Sequence, residues 1–157
     1  MSANGIQIRV FGPVIWHALH IIAQNYPISP TPTRKKRYAE FFKALGCVLP
    51  CGSCRRSYHG HVNGGSLKLN PDVFRSRATL TRWLYDLHRR VNSTSKYSTS
   101  RTPSFETVTK RYERFRSGPG KPKWRSRVVY YRVGRRKIHR HNGCDEQRYA
   151  TCSKGLG

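Results

Sequence analysis

Residues 11–26 read FGPVIWHALHIIAQNY, and their periodicity sets the fold class. Pro13 stands where the first turn of a helix tolerates proline, because the N–H it lacks would be unpaired there anyway. Pro27 closes the segment. Between them Ile15, Leu19, Ile22 and Tyr26 recur at intervals of four, three and four, which is one stripe of an amphipathic helix. Trp16, His20 and Ala23 fall on the adjacent stripe.

The same period continues downstream. Pro27 to Thr33 holds three prolines and reads as a connector. A second helix is expected from about Arg34 to Gly46, with Tyr38, Phe41, Phe42 and Leu45 turned inward. Pro50-Cys51-Gly52-Ser53-Cys54 opens a third, which runs to about Val62 before Gly64-Gly65 breaks it. A fourth begins at Asp72 or a little later and ends near Val91, with Leu80, Trp83, Leu84, Leu87 and Val91 at helical intervals. Residues 93–103 are rich in Ser and Thr and read as a loop. Ser104 can cap a short fifth helix, Glu106 suits its first turn, and Phe115 lies near its end. The expectation is an all-α domain over 1–117, four helices and a short fifth. Residues 118–157 change character: they are dense in Lys and Arg, poor in core residues apart from Val128 to Tyr131 (a candidate short strand), and read as a basic tail, mostly disordered when alone.

Thirty-one Lys and Arg against seven Asp and Glu give the 157-residue chain a formal net charge of +24. That balance favours polyanions, so non-specific nucleic-acid contact through the basic surface and tail is expected, with acidic proteins and anionic lipid as other partners of the same chemistry. No run approaches the roughly 20 apolar residues of a membrane span, and residues 1–10 lack the apolar stretch of a secretory signal. A cytoplasmic location follows as the expectation, with the nucleus open to a chain so basic. Five cysteines, Cys47, Cys51, Cys54, Cys144 and Cys152, are too few and too uneven for a disulfide-stapled secreted mini-protein.

Cys51-x-x-Cys54 carries the chemistry. At a helix start the pair can close a disulfide, and the helix N-terminus stabilises a thiolate. Zinc sites use the same spacing. Cys51, Cys54 and His59 match three ligands of a zinc knuckle, but the fourth position is Asn63, leaving His61 or Cys47 to substitute. This basic, zinc-dependent nucleic-acid-binding protein is the alternative reading. A thioredoxin-like site would need strands around the pair, and the flanks are helical. Trp16 and His20 lie one helical turn apart, and Trp83, His88, Val91 and Asn92 form a second polar and aromatic set. Each set alone reads as core with a satisfied histidine; together they could line a pocket for a planar aromatic cofactor.

Three blocks in order, Trp16-x-x-Leu19-His20-x-x-Ala23-x-x-Tyr26-Pro27, Pro50-Cys51-x-x-Cys54 and Trp83-Leu84-x-x-Leu87-His88-x-x-Val91-Asn92, resemble the Erv/ALR family of FAD-linked sulfhydryl oxidases. The resemblance covers about residues 10–115, and Pro103 to Glu106 looks most like the members from large DNA viruses, which would place the protein in host cytoplasm or virion. It implies a four-helix bundle with a short fifth helix, holding FAD at one end and forming a homodimer. Gly12, Trp16, His20 and Tyr26, with His88, Val91 and Asn92, would contact the cofactor. The family's phosphate-binding lysine has Lys96 as its nearest counterpart, one residue out of register, with Arg101 as a substitute. Where the family has Asn after the histidine, this chain has Arg89; a scaffold protein that kept the fold and lost catalysis is the reading that departure leaves standing. The implied activity oxidises dithiol protein substrates at Cys51, passes electrons through Cys54 to FAD, and ends on molecular oxygen as hydrogen peroxide. Cys144 and Cys152 would be a second, shuttle pair. Cys47 is expected as a small buried apolar residue.

Overall fold

A computed structural model describes residues 5–94 and 102–116. Lys96, Arg101, Cys144, Cys152, the Val128–Tyr131 segment and the rest of the basic tail lie outside the described residues. Five α-helices run in order: α1 Ile8–Gln24, α2 Pro32–Val48, α3 Gly52–Asn63, α4 Arg77–Thr94 and α5 Phe105–Glu113. Short 3₁₀ turns at Gly65–Leu67 and Pro71–Phe74 join α3 to α4. Among the described residues there is no strand, so the all-α expectation holds.

Of the boundaries that differ from the sequence reading, four have a clear local setting. Helix α1 starts three residues earlier, with extended Gln7 just ahead of it and Phe11 N–H bonded to the Gln7 carbonyl. Pro32, read as connector, is the first residue of α2: Thr31 caps the helix by accepting from Arg34 N–H at 3.3 Å, and a first-turn proline loses nothing. Gly46 does not end α2, which continues to Val48. At Asp72 the chain makes only the 3₁₀ turn, capped by the Asn70 carboxamide oxygen. Helix α4 begins after Ser76, whose N–H donates to Thr79 Oγ1 while Thr79 N–H donates to Ser76 Oγ, at 3.0 and 3.2 Å. That exchange is a capping box with threonine in the usual Glu place. Helix α5 follows its expected cap, Ser104 accepting from Thr107 N–H.

The core lies between α1, α2, α3 and α4, and Tyr26, Phe42, Leu80, Leu84 and Leu87 are its largest fully enclosed side chains. Burial of such side chains contributes roughly 1.5–3 kcal/mol each. Polar atoms inside are satisfied: Tyr58 hydroxyl donates to the Phe42 carbonyl at 2.7 Å and Trp83 Nε1–H to the Leu67 carbonyl at 2.9 Å. Phe41, expected inward, is 39% exposed, and Cys47, expected buried, is an exposed free thiol. Helix α1 packs on α4 and α5, and α2 on α3. The first two pairings bring residues of α1, α4 and α5 together, and the third sets α3 against α2.

Candidate active site

Cys51 and Cys54 are joined as a disulfide, their Cα atoms 5.1 Å apart. Cys51 is the N-cap of α3, in extended conformation, and its sulfur accepts from Cys54 N–H at 3.2 Å. Ser53 Oγ lies 3.1 Å from the same sulfur. Two hydrogen-bonding groups and the helix N-terminus therefore surround Cys51 Sγ, the setting that favours a thiolate. Cys51 is 8% exposed; Cys54 is half-buried and packs against the core, as Trp16 and Val91 also do.

The loop that presents the pair is held from both sides. Arg55 Nη1–H donates to the Leu49 carbonyl at 2.7 Å, and Ile6 N–H donates to the Pro50 carbonyl at 2.9 Å. Gly5, with φ of +70°, makes the second tie feasible: a Cβ there would fall 1.7 Å from the Pro50 carbonyl oxygen. Glycine is the residue that both the backbone angle and the close approach allow.

The second part of the site is a cluster of rings from α1, α4 and α5. Trp16 stacks on His88, centroids 4.0 Å apart and planes within 7°. His20 Nε2 and His88 Nδ1 are 3.1 Å apart, one donating and the other accepting. Tyr112 of α5 stacks on His20 at 5.0 Å, and its hydroxyl meets His17 Nδ1 at 3.1 Å. Burial, followed by the proximity of His88 and His17, lowers the pKa of His20 to about 4; burial lowers that of His88 to about 4. Both imidazoles are neutral at physiological pH, so one ring donates its single N–H and the other accepts.

Of the residues singled out in the sequence, the structure brings Trp16, His20 and His88 into direct contact, with Val91 packed on the core nearby. Gly12 lies one turn before Trp16, and a Cβ there would meet nothing within 4 Å. Asn92 is half-buried near the end of α4. Tyr26 is fully enclosed: its hydroxyl donates to the Phe74 carbonyl at 2.8 Å and its ring lies on Tyr38, which anchors the corner after α1. Arg89 is exposed. His17 and Tyr112 were not anticipated; the stripe Phe105, Val108, Tyr112 along α5 was the available signal for the latter. Among the described residues no three His, Cys, Asp or Glu side chains converge to hold a metal, so the zinc reading finds no cage there.

A disulfide at a helix start and a cluster of stacked neutral rings thus share one helical core. Residues 13–113 match the Erv1 / Alr family, and the chain belongs to that family. It is 43% identical over 77 residues to the "Probable FAD-linked sulfhydryl oxidase R368" of Acanthamoeba polyphaga mimivirus, covering 49% of this chain and 52% of that protein. To the "Putative FAD-linked sulfhydryl oxidase 347L" of Invertebrate iridescent virus 6 it is 30% identical over 90 residues, covering 55% of this chain and 80% of the other. The chain thus spans about half the length of the first relative and most of the second. The crystal structure of the yeast Erv1 core superposes with a TM-score of 0.59 at 21% identity, covering 80% of this chain and 92% of that one, which shows the shared fold.

Proposed function

We propose that this protein is an FAD-dependent thiol oxidase that makes disulfide bonds in protein substrates with Cys51 and Cys54 as its redox pair. The observation that carries the reading is the Cys51–Cys54 disulfide at the start of α3, with Cys54 packed on the same core as Trp16 and Val91. The indole and two neutral imidazoles, with open space beside Gly12, fit a flat heteroaromatic group that needs stacking and neutral hydrogen-bonding partners. Trp16, His20, His88, Val91 and Asn92 would hold FAD, and Lys96 or Arg101, outside the described residues, would meet its phosphates. When bound, FAD supplies a two-electron acceptor that is reoxidised by oxygen to give hydrogen peroxide.

The chain's own part begins with a substrate thiolate attacking Cys51 Sγ; the Cys51–Cys54 bond breaks and Cys54 leaves as thiolate. The substrate's second thiolate then attacks the mixed disulfide, leaving as substrate disulfide and releasing Cys51 as thiolate. At that moment Cys54 N–H, the Ser53 hydroxyl and the N-terminus of α3 stabilise the charge on Cys51. Two electrons now reside on the cysteine pair, and Cys54, packed on the core that also carries Trp16, would hand them on. Cys144 and Cys152, outside the described residues, would relay electrons from bulky substrates. A homodimer is supported by Val10, Val14 and Ile21, apolar and exposed along α1.

The test is a visible spectrum of the purified protein followed by oxygen uptake with dithiothreitol. Oxidised-flavin bands and uptake that is lost in Cys54→Ser are expected. A colourless protein that cannot be loaded with FAD would overturn the reading.

A further inference from the structure

The surroundings of the redox pair are charged with one sign only. Helix α3 carries no acidic side chain over its 12 residues, and Arg55 and Arg56 follow directly on Cys54. Both guanidinium groups fold back over the loop: a Cβ on Gly52, between the two cysteines, would lie 3.7 Å from Arg55 Nη2 and 3.8 Å from Arg56 Nη1. Arg55 is fixed there by its bond to the Leu49 carbonyl. Among the described residues no carboxylate pairs with either arginine. Glu40, Asp86, Glu106 and Glu113 instead face Arg37, Arg82, Lys110 and Arg116, each three or four residues away in their own segments. The positive end of α3 points into the same space.

Resting on the oxidase reading, we propose that the preferred substrate is an acidic polypeptide segment, whose carboxylates beside the reacting cysteine are received by Arg55 and Arg56. Guanidinium groups over Gly52, in the loop that carries the attacked sulfur, do two things. They draw a negatively charged segment to the site, an effect on association of about 10–1,000-fold at low ionic strength. They also offset the cost that acidic neighbours impose on a substrate thiolate, since like charges raise a thiol's pKa and opposite charges lower it. Ile6 and Val48, 56% and 72% exposed, are apolar groups on the segments that enter this loop, Ile6 being bonded to Pro50 and Val48 two residues before it. They suit the apolar side chains of the same segment. The site is thus built for short anionic stretches in a protein, and two arginines around a reactive disulfide give less support for a long polyphosphate backbone.

The experiment compares kcat/KM for three dithiol peptides that differ only in residues flanking the cysteines: two Glu, two Gln or two Lys. The full, FAD-loaded chain is used, with oxygen uptake as the readout. At low salt the Glu peptide should exceed the Lys peptide by at least about tenfold, and the ratio should fall toward unity near 1 M salt, where screening acts within about 3 Å. Arg56→Glu should reverse or abolish the preference, each rate being taken relative to the Gln peptide with the same variant. Lys35→Gln with Lys36→Gln removes equivalent charge from the far end of α2, about 18 Å along the helix axis from Val48, and should keep the preference. Equal rates for the three peptides, or equal loss in both variants, would overturn the proposal while leaving the oxidase intact. So would a polynucleotide that at low salt inhibits Gln and Glu peptides alike, marking the patch as a nucleic-acid surface. Failure to oxidise even the Gln peptide or dithiothreitol would remove the oxidase reading and this one with it.

Discussion

Among single residues, the paired histidines make the sharpest statement. His20 and His88 titrate near 4 in the folded chain and near 6.5 when unfolded. Between those values the unfolded chain binds protons that the folded one does not, so stability is complete above about pH 6.5 and falls as pH drops toward 4. The first histidine to protonate accounts for on the order of 3 kcal/mol. Thermal unfolding measured from pH 7.5 to 4.5 should show that decline, and His20→Gln, which cannot titrate but can still bond to His88, should make it shallower. An unchanged slope would place the acid sensitivity elsewhere. Trp16, His20 and His88 were legible in the sequence because each sits on a helical stripe and their combination is unusual. Tyr112 and His17 were not, since nothing in α5 says which helix it will lie upon. Phe41 was read as buried because a period of 3.6 gives a stripe, and only the neighbouring helix decides how wide it is; Cys47 was read so from the usual habit of its residue type.

Among the helices, Gly46 shows packing overriding local punctuation. The second helix was expected to end at about Gly46; in the structure this glycine lies inside α2, where that helix approaches α3. A Cβ there would come within 2.8 Å of His59 Cε1 and 2.9 Å of Tyr58 Cδ1. His59 is half-buried and can give way, but Tyr58 is buried with its hydroxyl bonded to Phe42. Gly46→Ala should therefore gain helix propensity and still lose stability, by about 1–3 kcal/mol from overpacking, as read by urea denaturation. A stabilised variant would show that the two helices can separate freely. The existence and order of all five helices were readable from periodicity and caps. Their ends were less so, because a residue such as Pro32, Gly46 or Asp72 has one meaning by itself and another once a neighbour is packed against it.

For the whole molecule, the charge of +24 is the property that no single site accounts for. Four acidic side chains of the described residues are already engaged with basic neighbours, so the excess is free to act on surroundings. We expect salt-dependent binding to DNA, with log affinity falling linearly in log salt, and a clearly smaller slope after removal of residues 121–157. Titrations at several salt concentrations would check it; an equal slope for both chains would assign the contact to the helical domain. Composition made this expectation readable at once, whereas the folding of the Arg55 and Arg56 guanidinium groups back over Gly52 required the fold.

The bond between Cys51 and Cys54 spans only three positions of the chain, so as a cross-link it constrains the unfolded state about as little as a disulfide can. What fixes the loop is other material: Ile6 on Pro50 and Arg55 on Leu49, neither of which involves sulfur. In the proposed cycle, the bond that opens and shuts is thus separate from the bonds that hold the loop. Such a division lets one small hinge of covalent chemistry run repeatedly without the architecture having to be rebuilt each time.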